Sequence, residues 1–459
     1  MNASRPPIQL SLDLPEPGRG EAPRPDGREV EASMALSGPE NPAEAGSLMA
    51  AICEPDNMEA ALRAVMRNKG AAGIDRMTTR QLPAVMRQCW PEIERQLLEG
   101  RYQPKPVLRV SIPKPAGGTR DLGIPTVIDR VIQQAVLQRL QPLWDPTFSA
   151  HSFGFRPNHS AHQAVARAQA LVAEGYRFVV DIDLSKFFDR INHDRLMARL
   201  AQRVTDRRVL RLIRSFLTAG VMAEGVLVAS EEGTPQGGPL SPLLSNIVLD
   251  ELDRELERRG HQFARYADDC NIYVRSEQAG LRVMASLTRF IEGRLRLKVN
   301  TEKSAVARPW DRSFLGFTVM KDAETRRRIG DKAVRRFKDR VRALTPRHGR
   351  ALERMIGELN PYLRGWVGYF GFTQWRELAS LDGWIRRRLR CAVWVQWKTR
   401  VRRFAQLRRL GASERATGMA VFSPHGPWRV STTRALHETF TKRHFQKLGL
   451  VAMEKLARA

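Results

Sequence analysis

Two short segments that carry acids within apolar runs constrain this chain more than any other feature. Residues 178–184 alternate as a β-strand does, so that four apolar side chains face one way while Val179, Asp181 and Asp183 face the other. About 85 residues later, two extended runs meet at Asp268 and Asp269, which predicts a tight hairpin turn. We therefore expect a sheet that presents acids both on a strand and at a turn.

Acids that converge in this way need a cation between them. Like charges about 4 Å apart repel by roughly 4 kcal/mol at an effective dielectric constant of 20. Oxygen ligands without His or Cys favour Mg²⁺, and two such ions about 4 Å apart are the usual arrangement for in-line displacement at a phosphate. A lone Asp-Asp pair is more often a turn or a helix cap, so this interpretation depends on the surrounding motifs.

The middle of the chain has the pattern of a mixed α/β (α+β) fold. Apolar residues at helical spacing predict helices over residues 128–143, 207–217 and 243–256. Short β-branched or aromatic runs predict strands over residues 107–112, 177–184, 262–266 and 271–274.

Positive charge is distributed unevenly along the chain. Its 459 residues include 76 Lys and Arg against 49 Asp and Glu, a net charge of +27, which indicates a polyanionic partner such as nucleic acid or an anionic membrane surface. Residues 1–48 have a net charge of −4 and are rich in proline, which predicts a disordered tail. Residues 321–459 have a net charge of +22. We expect three parts, namely the tail 1–48, a catalytic region 49–320 and a basic helical region 321–459.

Nothing in the sequence predicts export or membrane insertion. No segment approaches the roughly 18 consecutive apolar residues of a membrane span, and the N-terminus lacks the apolar core of a signal peptide. The four cysteines lie far apart without a CxxC pair, which is typical of reduced thiols. The expected location is cytoplasmic.

The last third contains a candidate nucleic-acid interface. An apolar stripe from Trp384 to Leu410 recurs every three or four residues and predicts one amphipathic helix. Its other faces carry ten cations and no acid between residues 383 and 412. A solvated helix is the simpler interpretation, but cations this dense repel one another unless a polyanion screens them. The candidate RNA-binding residues are Arg386, Arg387, Arg390, Lys398, Arg402 and Arg403.

Motifs in the order of one enzyme family cover residues 65–320. They are Gly73-Ile74-Asp75; Ile112 to Pro125 with Asp129-Arg130; Ser152 to Pro157; Asp181 to Asp189; Gly233 to Pro242; Tyr266 to Asp269; and Asn300 to Lys303 with Phe314 to Phe317. Looser matches follow at Leu359 to Phe370 and Gly426 to Ser431. The chain resembles the group II intron-encoded reverse transcriptase/maturases of bacterial type. This resemblance implies a right-hand polymerase fold, with fingers and palm followed by a helical thumb and maturase region.

The resemblance implies roles for particular residues. Asp183 matches the family's first catalytic Asp, because Phe188 matches the aromatic residue that follows it; Asp181 would then be a neighbour. Asp268 and Asp269 match the other two acids, so the three would be catalytic and would bind two Mg²⁺ ions, with Mn²⁺ as the alternative. Phe188 resembles the steric gate that admits deoxynucleotides, although a plain core phenylalanine is the other interpretation.

Three further residues are candidate contacts to the incoming dNTP. Lys114 and Arg120 lie on the two arms of a hairpin predicted within residues 112–125, where mobile cations can close over a triphosphate. Gln236 lies in the segment 235–238, which resembles the family's loop beneath the templating base. Glycine there lets the backbone approach the nucleotide.

The implied function is an RNA-directed DNA polymerase that copies RNA into cDNA and assists splicing and mobility of its own group II intron RNA. The implied partners are structured intron RNA, an RNA template with a DNA primer, and target DNA. Many relatives carry a C-terminal endonuclease, and the sequence up to Ala459 has no such segment, so the primer is expected from elsewhere, for example a replication fork. Two alternatives stay open, namely a lineage member recruited for host DNA repair or phage defence, and an RNA-binding splicing cofactor without polymerase activity. The intact acids argue against the second.

Overall fold

The chain folds as two compact units, residues 1–308 and 309–459. The computed structural model describes residues 47–113, 119–223, 226–228, 232–234, 237–322 and 324–458. The predicted tail thus falls almost entirely outside the described residues. Across these described ranges, no helix combines the length and the apolar character that crossing a membrane requires.

The first unit alternates helices and strands. Its helices are α1 (Leu48–Cys53), α2 (Pro55–Asn68), α3 (Leu82–Leu98), α4 (Val127–Trp144), α5 (Ala161–Ala173), α6 (His193–Ala201), α7 (Arg207–Thr218), α8 (Ser241–Arg258) and α9 (Glu277–Phe290). Its strands are β1 (Val107–Pro113), β2 (Thr119–Ile124), β3 (Phe178–Ile182), β4 (Val221–Ala223), β5 (Val226–Val228), β6 (Gln262–Tyr266), β7 (Asp269–Val274) and β8 (Ala305–Ala307). The predicted helices are α4, α7 and α8, and the predicted strands are β1, β3, β6 and β7, which confirms the mixed α/β class.

Two sheets organise this unit. One has the strand order β2-β1-β4-β5, in which β1 and β2 form an antiparallel hairpin. The other has the order β6-β7-β3-β8 with antiparallel neighbours throughout. Its two middle strands pair from Phe178 opposite Val274 to Ile182 opposite Cys270. The end of β3 and the beginning of β7 therefore lie at the same end of the sheet.

An apolar core fixes this central sheet. Val180, Ile182 and Ile272 are fully buried and belong to one cluster with Leu249 and Leu252 of α8. Burying each such side chain contributes roughly 1.5–3 kcal/mol. The residues at the sheet end are consequently attached to a rigid support.

The second unit is mainly helical. Its short strands are β9 (Phe317–Val319) and β10 (Arg327–Ile329), and its helices are α10 (Asp331–Leu344), α11 (Leu352–Phe370), α12 (Trp375–Gln396), α13 (Arg400–Arg409), α14 (Glu414–Val421), α15 (Pro427–Val430), α16 (Arg434–Thr439), α17 (Lys442–Lys447) and α18 (Met453–Leu456). It has its own core, in which the rings of Phe337 and Trp366 lie 4.3 Å apart.

The single helix predicted from Trp384 to Leu410 is wrong. The structure has two helices, because α12 ends at Gln396 and the Thr399 side chain caps α13 by accepting a hydrogen bond from the Arg402 N–H at 3.3 Å. Apolar spacing continues across the break, so periodicity alone does not reveal it, whereas a threonine N-cap does. Val401, placed by the periodicity in the apolar stripe, is 81% exposed.

Candidate active site

Three acids lie at one end of the central sheet. Asp183 directly follows β3, and Asp269 is the first residue of β7. Because Ile182, the last residue of β3, pairs with Cys270, Asp183 and Asp269 each lie one position beyond this pair, at the same end of the sheet. Asp268 occupies the two-residue turn between β6 and β7. The structure therefore brings the predicted acids to one place, and all three are partly exposed.

The donor set at this sheet end suits a hard divalent cation. Its oxygens come from the carboxylates of Asp183, Asp268 and Asp269, while the neighbouring Cys270 is buried. Within the part of the chain that the structure describes, no group of three or more His, Cys, Asp or Glu side chains is placed to hold a metal ion. Mg²⁺ commonly takes only one or two protein carboxylates and completes its shell with water and substrate phosphates. The residues fit an ion shared with a nucleotide better than a closed protein site.

A turn from the segment after α9 fixes the backbone of Asp183. The Asn300 N–H donates to the Asp183 carbonyl at 2.8 Å, and the Asp183 N–H donates to Ser304 Oγ at 3.0 Å. Lys303 Nζ lies 3.9 Å from Asp183 Oδ2, and their side chains are 67% and 41% exposed. An ion pair this exposed contributes little to stability. It does place a positive charge beside the acid, a feature to which the sequence alone gave no role.

A buried arginine braces the turn that carries Asp268. Arg265 of β6 is fully buried, and its Nε donates to Asp253 Oδ1 at 2.7 Å while its Nη2 donates to Oδ2. Its Nη1 donates to the Ala267 carbonyl at 2.9 Å and to Asn246 Oδ1 at 3.1 Å. Since Asp253 and Asn246 belong to α8, Arg265 ties the turn to that helix.

Both the buried Asp253 carboxyl and the backbone of the turn are held in unfavourable states. Burial raises the pKa of the Asp253 carboxyl, although the Arg265 guanidinium opposes this shift. Ala267 has a φ of 56°, a left-handed conformation that non-glycine residues rarely adopt. Sequence reasoning missed Arg265 and Asp253; the available signal was an arginine inside an otherwise apolar strand.

The Ser152–Pro157 motif packs against the same turn. The Phe153 N–H donates to the Arg265 carbonyl at 2.9 Å. Gly154 lies so close to the turn that a Cβ atom would overlap the backbone nitrogen of Ala267. The turn therefore requires glycine at this position, which gives the motif a physical reason.

Phe188 lies beside the Asp183 strand, in the one-turn 3₁₀ segment Phe187–Arg190. It is half-buried, and its carbonyl accepts a hydrogen bond from the Thr234 N–H at 2.7 Å. Gly233 has a φ of 91°, and a Cβ atom there would come within 2.8 Å of the same carbonyl. The start of the Gly233–Pro242 motif therefore packs against the 3₁₀ segment that contains Phe188. The steric-gate role of Phe188 stays a prediction.

The predicted dNTP contacts are only partly described. The hairpin that should carry the two cations exists as β1 and β2. Lys114 and Gln236 lie outside the described residues, and for Arg120 only the backbone position opposite Ile112 is described. The roles of these three residues stay predictions.

The candidate RNA-binding residues differ in exposure. Lys398 and Arg402 are exposed, and Arg386 is half-buried. The guanidinium groups of Arg387 and Arg403 lie over tryptophan rings, 4.1 and 4.6 Å from the ring centres. These five keep at least part of their surface available to a ligand.

Arg390 departs from the expectation for the polar face of a helix. It is only 6% exposed, because the α12 surface on which it lies is covered by other elements of the second unit. Helical spacing placed it correctly next to Arg386 and Arg387, but could not show that this side of α12 is covered.

A central antiparallel sheet that presents carboxylates at one end, beside a hairpin turn, is the palm of a nucleotidyl-transferring polymerase. Residues 112–319 match the family model for reverse transcriptase (RNA-dependent DNA polymerase). Residues 334–411 match the group II intron maturase-specific domain. The chain therefore belongs to the group II intron-encoded reverse transcriptase/maturases.

Curated relatives agree with this assignment. Protein YkfC of Escherichia coli (strain K12) is 32% identical over 299 residues, which cover 56% of this chain and 78% of YkfC. Group II intron-encoded protein LtrA of Lactococcus lactis subsp. cremoris is 40% identical over 36% of this chain and 27% of LtrA. Nuclear intron maturase 2, mitochondrial, of Arabidopsis thaliana is 30% identical over 30% of this chain and 24% of that protein. The chain thus matches about a quarter of the length of the last two. The predicted family and polymerase fold are confirmed.

Proposed function

We propose that this protein copies RNA into cDNA by two-metal nucleotidyl transfer, and that it assists the splicing and mobility of its own group II intron RNA. The observation that carries the proposal is the strand register that pairs Ile182 with Cys270 and so brings Asp183 and Asp269 to one end of the sheet, beside the Asp268 turn. Backbone hydrogen bonds and a buried ion pair hold these acids in place. Preorganised groups of this kind are what phosphoryl-transfer chemistry requires.

Asp183, Asp268 and Asp269 would bind two Mg²⁺ ions, with Mn²⁺ as the alternative. Bound ions would favour ionisation of the primer 3′-hydroxyl and neutralise charge on the leaving pyrophosphate. The chain itself supplies position: the Arg265 network fixes the turn, and Phe188 would exclude a ribose 2′-hydroxyl.

The triphosphate would be held from the hairpin side. Lys114 and Arg120 would pair with its oxygens, and Gln236 would contact the nucleotide from the glycine-rich loop. These contacts would close over dNTP when it binds and open again for translocation.

RNA would bind mainly to the second unit. Arg386, Arg387, Lys398, Arg402 and Arg403 offer guanidinium and ammonium groups suited to the phosphates of structured intron RNA. The same surface would contact the RNA template with its DNA primer. Integration would use target DNA as a further partner, and these reactions would take place in the cytoplasm.

Primer extension tests the polymerase. The full chain should extend a DNA primer on an RNA template with Mg²⁺ and dNTPs, whereas Asp183→Asn and Asp268→Ala should give no incorporation above background. Asp181→Asn is the matched control, because Asp181 lies on the same face of the strand but pairs with Asn271. No incorporation by the wild type, or equal incorporation by Asp268→Ala, would refute the polymerase. A loss with Asp181→Asn equal to that with Asp183→Asn would refute the choice of the first acid.

Splicing needs a separate assay. The wild type and Asp268→Ala should both accelerate splicing of the intron RNA that surrounds the gene, since RNA binding does not use the acids. Primer extension without any effect on splicing would favour a host-recruited enzyme. Splicing activity without primer extension would favour an RNA-binding cofactor.

A further inference from the structure

Arg390 of α12 is a buried cation without a counter-charge. It is 6% exposed, and its Nε has no hydrogen-bond partner. Among the residues that the structure describes, it forms neither an ion pair nor a side-chain hydrogen bond. Burial, with Arg386 and Arg387 nearby, lowers the pKa of Arg390 to about 10, which leaves it protonated at neutral pH. A buried charge of this kind is unfavourable unless something pairs with it.

The side chains around Arg390 add positive charge. Arg386 lies one helical turn away on the same face of α12. Arg387 donates from Nη2 to the Trp428 carbonyl at 3.0 Å and stacks on that ring, so its own partners are neutral. His437 of α16 adds no charge at neutral pH, because partial burial and then the charges of Arg390 and Arg386 lower its pKa.

Acids on the neighbouring elements are engaged elsewhere. Asp382, two helical turns before Arg390, uses its carboxylate oxygens to accept two backbone N–H groups of α18, at 3.1 and 3.2 Å. Glu438, which follows His437, pairs with Arg434 at 2.6 Å and accepts a backbone hydrogen bond at 3.2 Å. Burial raises the pKa of Asp382 and the Arg386 guanidinium opposes this shift, so part of the Arg386 charge is balanced, and Arg390 is the cation left for a ligand.

We propose that Arg390, with Arg386, Arg387 and His437 around it, binds a single phosphate group of RNA. The inference rests on the RNA-binding role proposed for the second unit and assigns one contact within it. A guanidinium group pairs with a phosphate through two parallel hydrogen bonds, which supply the counter-charge that the protein lacks. Because only 6% of Arg390 is exposed, the contact is assigned to one phosphate group and not to a longer stretch of the RNA backbone. The site lies on a long helix of a packed core, so it is formed before RNA arrives.

Arg390→Met separates a ligand site from a structural role. Methionine fills the same space without a charge, so the melting temperature of the free protein should stay unchanged or rise. The Kd for a labelled RNA hairpin should increase by about tenfold, as expected for one charged hydrogen-bonded contact. The slope of log Kd against log salt concentration should fall by about 0.7–0.9, the value for one phosphate. The matched control is Arg415→Met, which removes an exposed arginine from α14.

Inorganic phosphate is the second probe. At matched ionic strength it should raise the melting temperature of the wild type and of Arg415→Met, but not that of Arg390→Met. This readout reports the site even if the wild type fails to bind RNA or to extend primers, so failure of the proposed function is distinguishable from failure of the site.

Three results would overturn the proposal. Unchanged RNA affinity and salt slope in Arg390→Met would exclude RNA as the source of the phosphate, even if inorganic phosphate stabilises the wild type. Equal losses in Arg390→Met and Arg415→Met would show an effect of net charge alone. A lower melting temperature of free Arg390→Met, without a phosphate effect on the wild type, would show a structural arginine.

Discussion

The Arg265–Asp253 pair provides the sharpest test of how the acids are positioned. Three forms of the protein are compared: the wild type, Arg265→Met, and the double variant Arg265→Met/Asp253→Leu. The single change leaves a carboxylate in a fully buried position without its partner. The double change removes both charges and fills the space with apolar atoms.

The structure predicts opposite effects on stability and on catalysis. Arg265→Met should lower the free energy of unfolding by about 3–5 kcal/mol, because the Asp253 charge is left uncompensated. The double variant should recover to within about 2 kcal/mol of the wild type, since apolar replacement of a buried pair is often neutral. Neither variant restores the hydrogen bond from Arg265 to the Ala267 carbonyl. The strained turn can then relax, and a misplacement of Asp268 by about 1 Å lowers kcat by about 10²-fold.

Urea unfolding and primer-extension kinetics measure these two effects on the same preparations. The KM for dNTP should change far less than kcat, because the lost interaction positions a reacting group and does not bind the nucleotide. The matched control is Arg199→Met/Asp250→Leu, which removes an ion pair between α6 and α8 that has no hydrogen bond to the turn. A double variant at Arg265 and Asp253 with wild-type kcat would refute the positioning role. A loss of kcat in the control double variant of the same size would show that any disturbance of α8 suffices.

Three further predictions concern single residues. Gly154→Ala should lower kcat in primer extension and should lower the free energy of unfolding by about 1–3 kcal/mol. Gly293→Ala is the control, because a Cβ atom at that position meets nothing within 4 Å, and it should change neither kcat nor the free energy of unfolding. Phe188→Ala should raise incorporation of ribonucleotides relative to deoxynucleotides, measured by competitive primer extension, and an unchanged ratio would make Phe188 a core residue only. Partial burial raises the pKa of Asp206, but hydrogen bonds, of which that from Arg208 is the strongest, hold it well below its ordinary value of 3.8. The ionised carboxylate therefore stabilises the fold at pH values above 3.8. This contribution is lost as the pH falls towards the pKa of the folded state. Asp206→Asn should therefore lower the free energy of unfolding by about 2 kcal/mol at neutral pH. In urea unfolding measured over a pH series, the difference in stability between wild type and variant should shrink below about pH 4. A difference in stability that does not depend on pH would contradict this account.

Local patterns in the sequence were sufficient for most of the palm. Alternation over residues 178–184 predicts both the strand and the face that carries Asp183, and the paired acids mark the hairpin turn. Once β3 and β7 are antiparallel and adjacent, the buried face restricts their register, which pairs Ile182 with Cys270. Sequence could place each acid on its own strand or turn because those positions depend on short-range geometry, whereas the pairing of β3 with β7 joins distant segments of the chain.

Local sequence patterns could not predict contacts between distant segments. Asn300 reaches the Asp183 carbonyl across more than a hundred residues of chain, and only the folded sheet brings the two together. Burial had the same limitation in the second unit. Apolar spacing placed Val401 on the buried face, but the helix break at Thr399 leaves Val401 exposed. The same spacing placed Arg390 on a polar face, but the packing around α12 buries Arg390.

The two sides of the active site rest on chemically different supports, and this bears on whether such a chain polymerises DNA. Asp183 is held through its own backbone groups, which bond to the Asn300 N–H and to the Ser304 hydroxyl, whereas the Asp268 turn depends on the buried, charged side chains of Arg265 and Asp253. A chain could therefore keep all three acids and lose the geometry through one change in this pair. The acids alone do not separate a polymerase from an RNA-binding cofactor that has lost catalysis. Here the supporting pair is also intact, fully buried and correctly bonded, which favours the polymerase more strongly than the acids do by themselves.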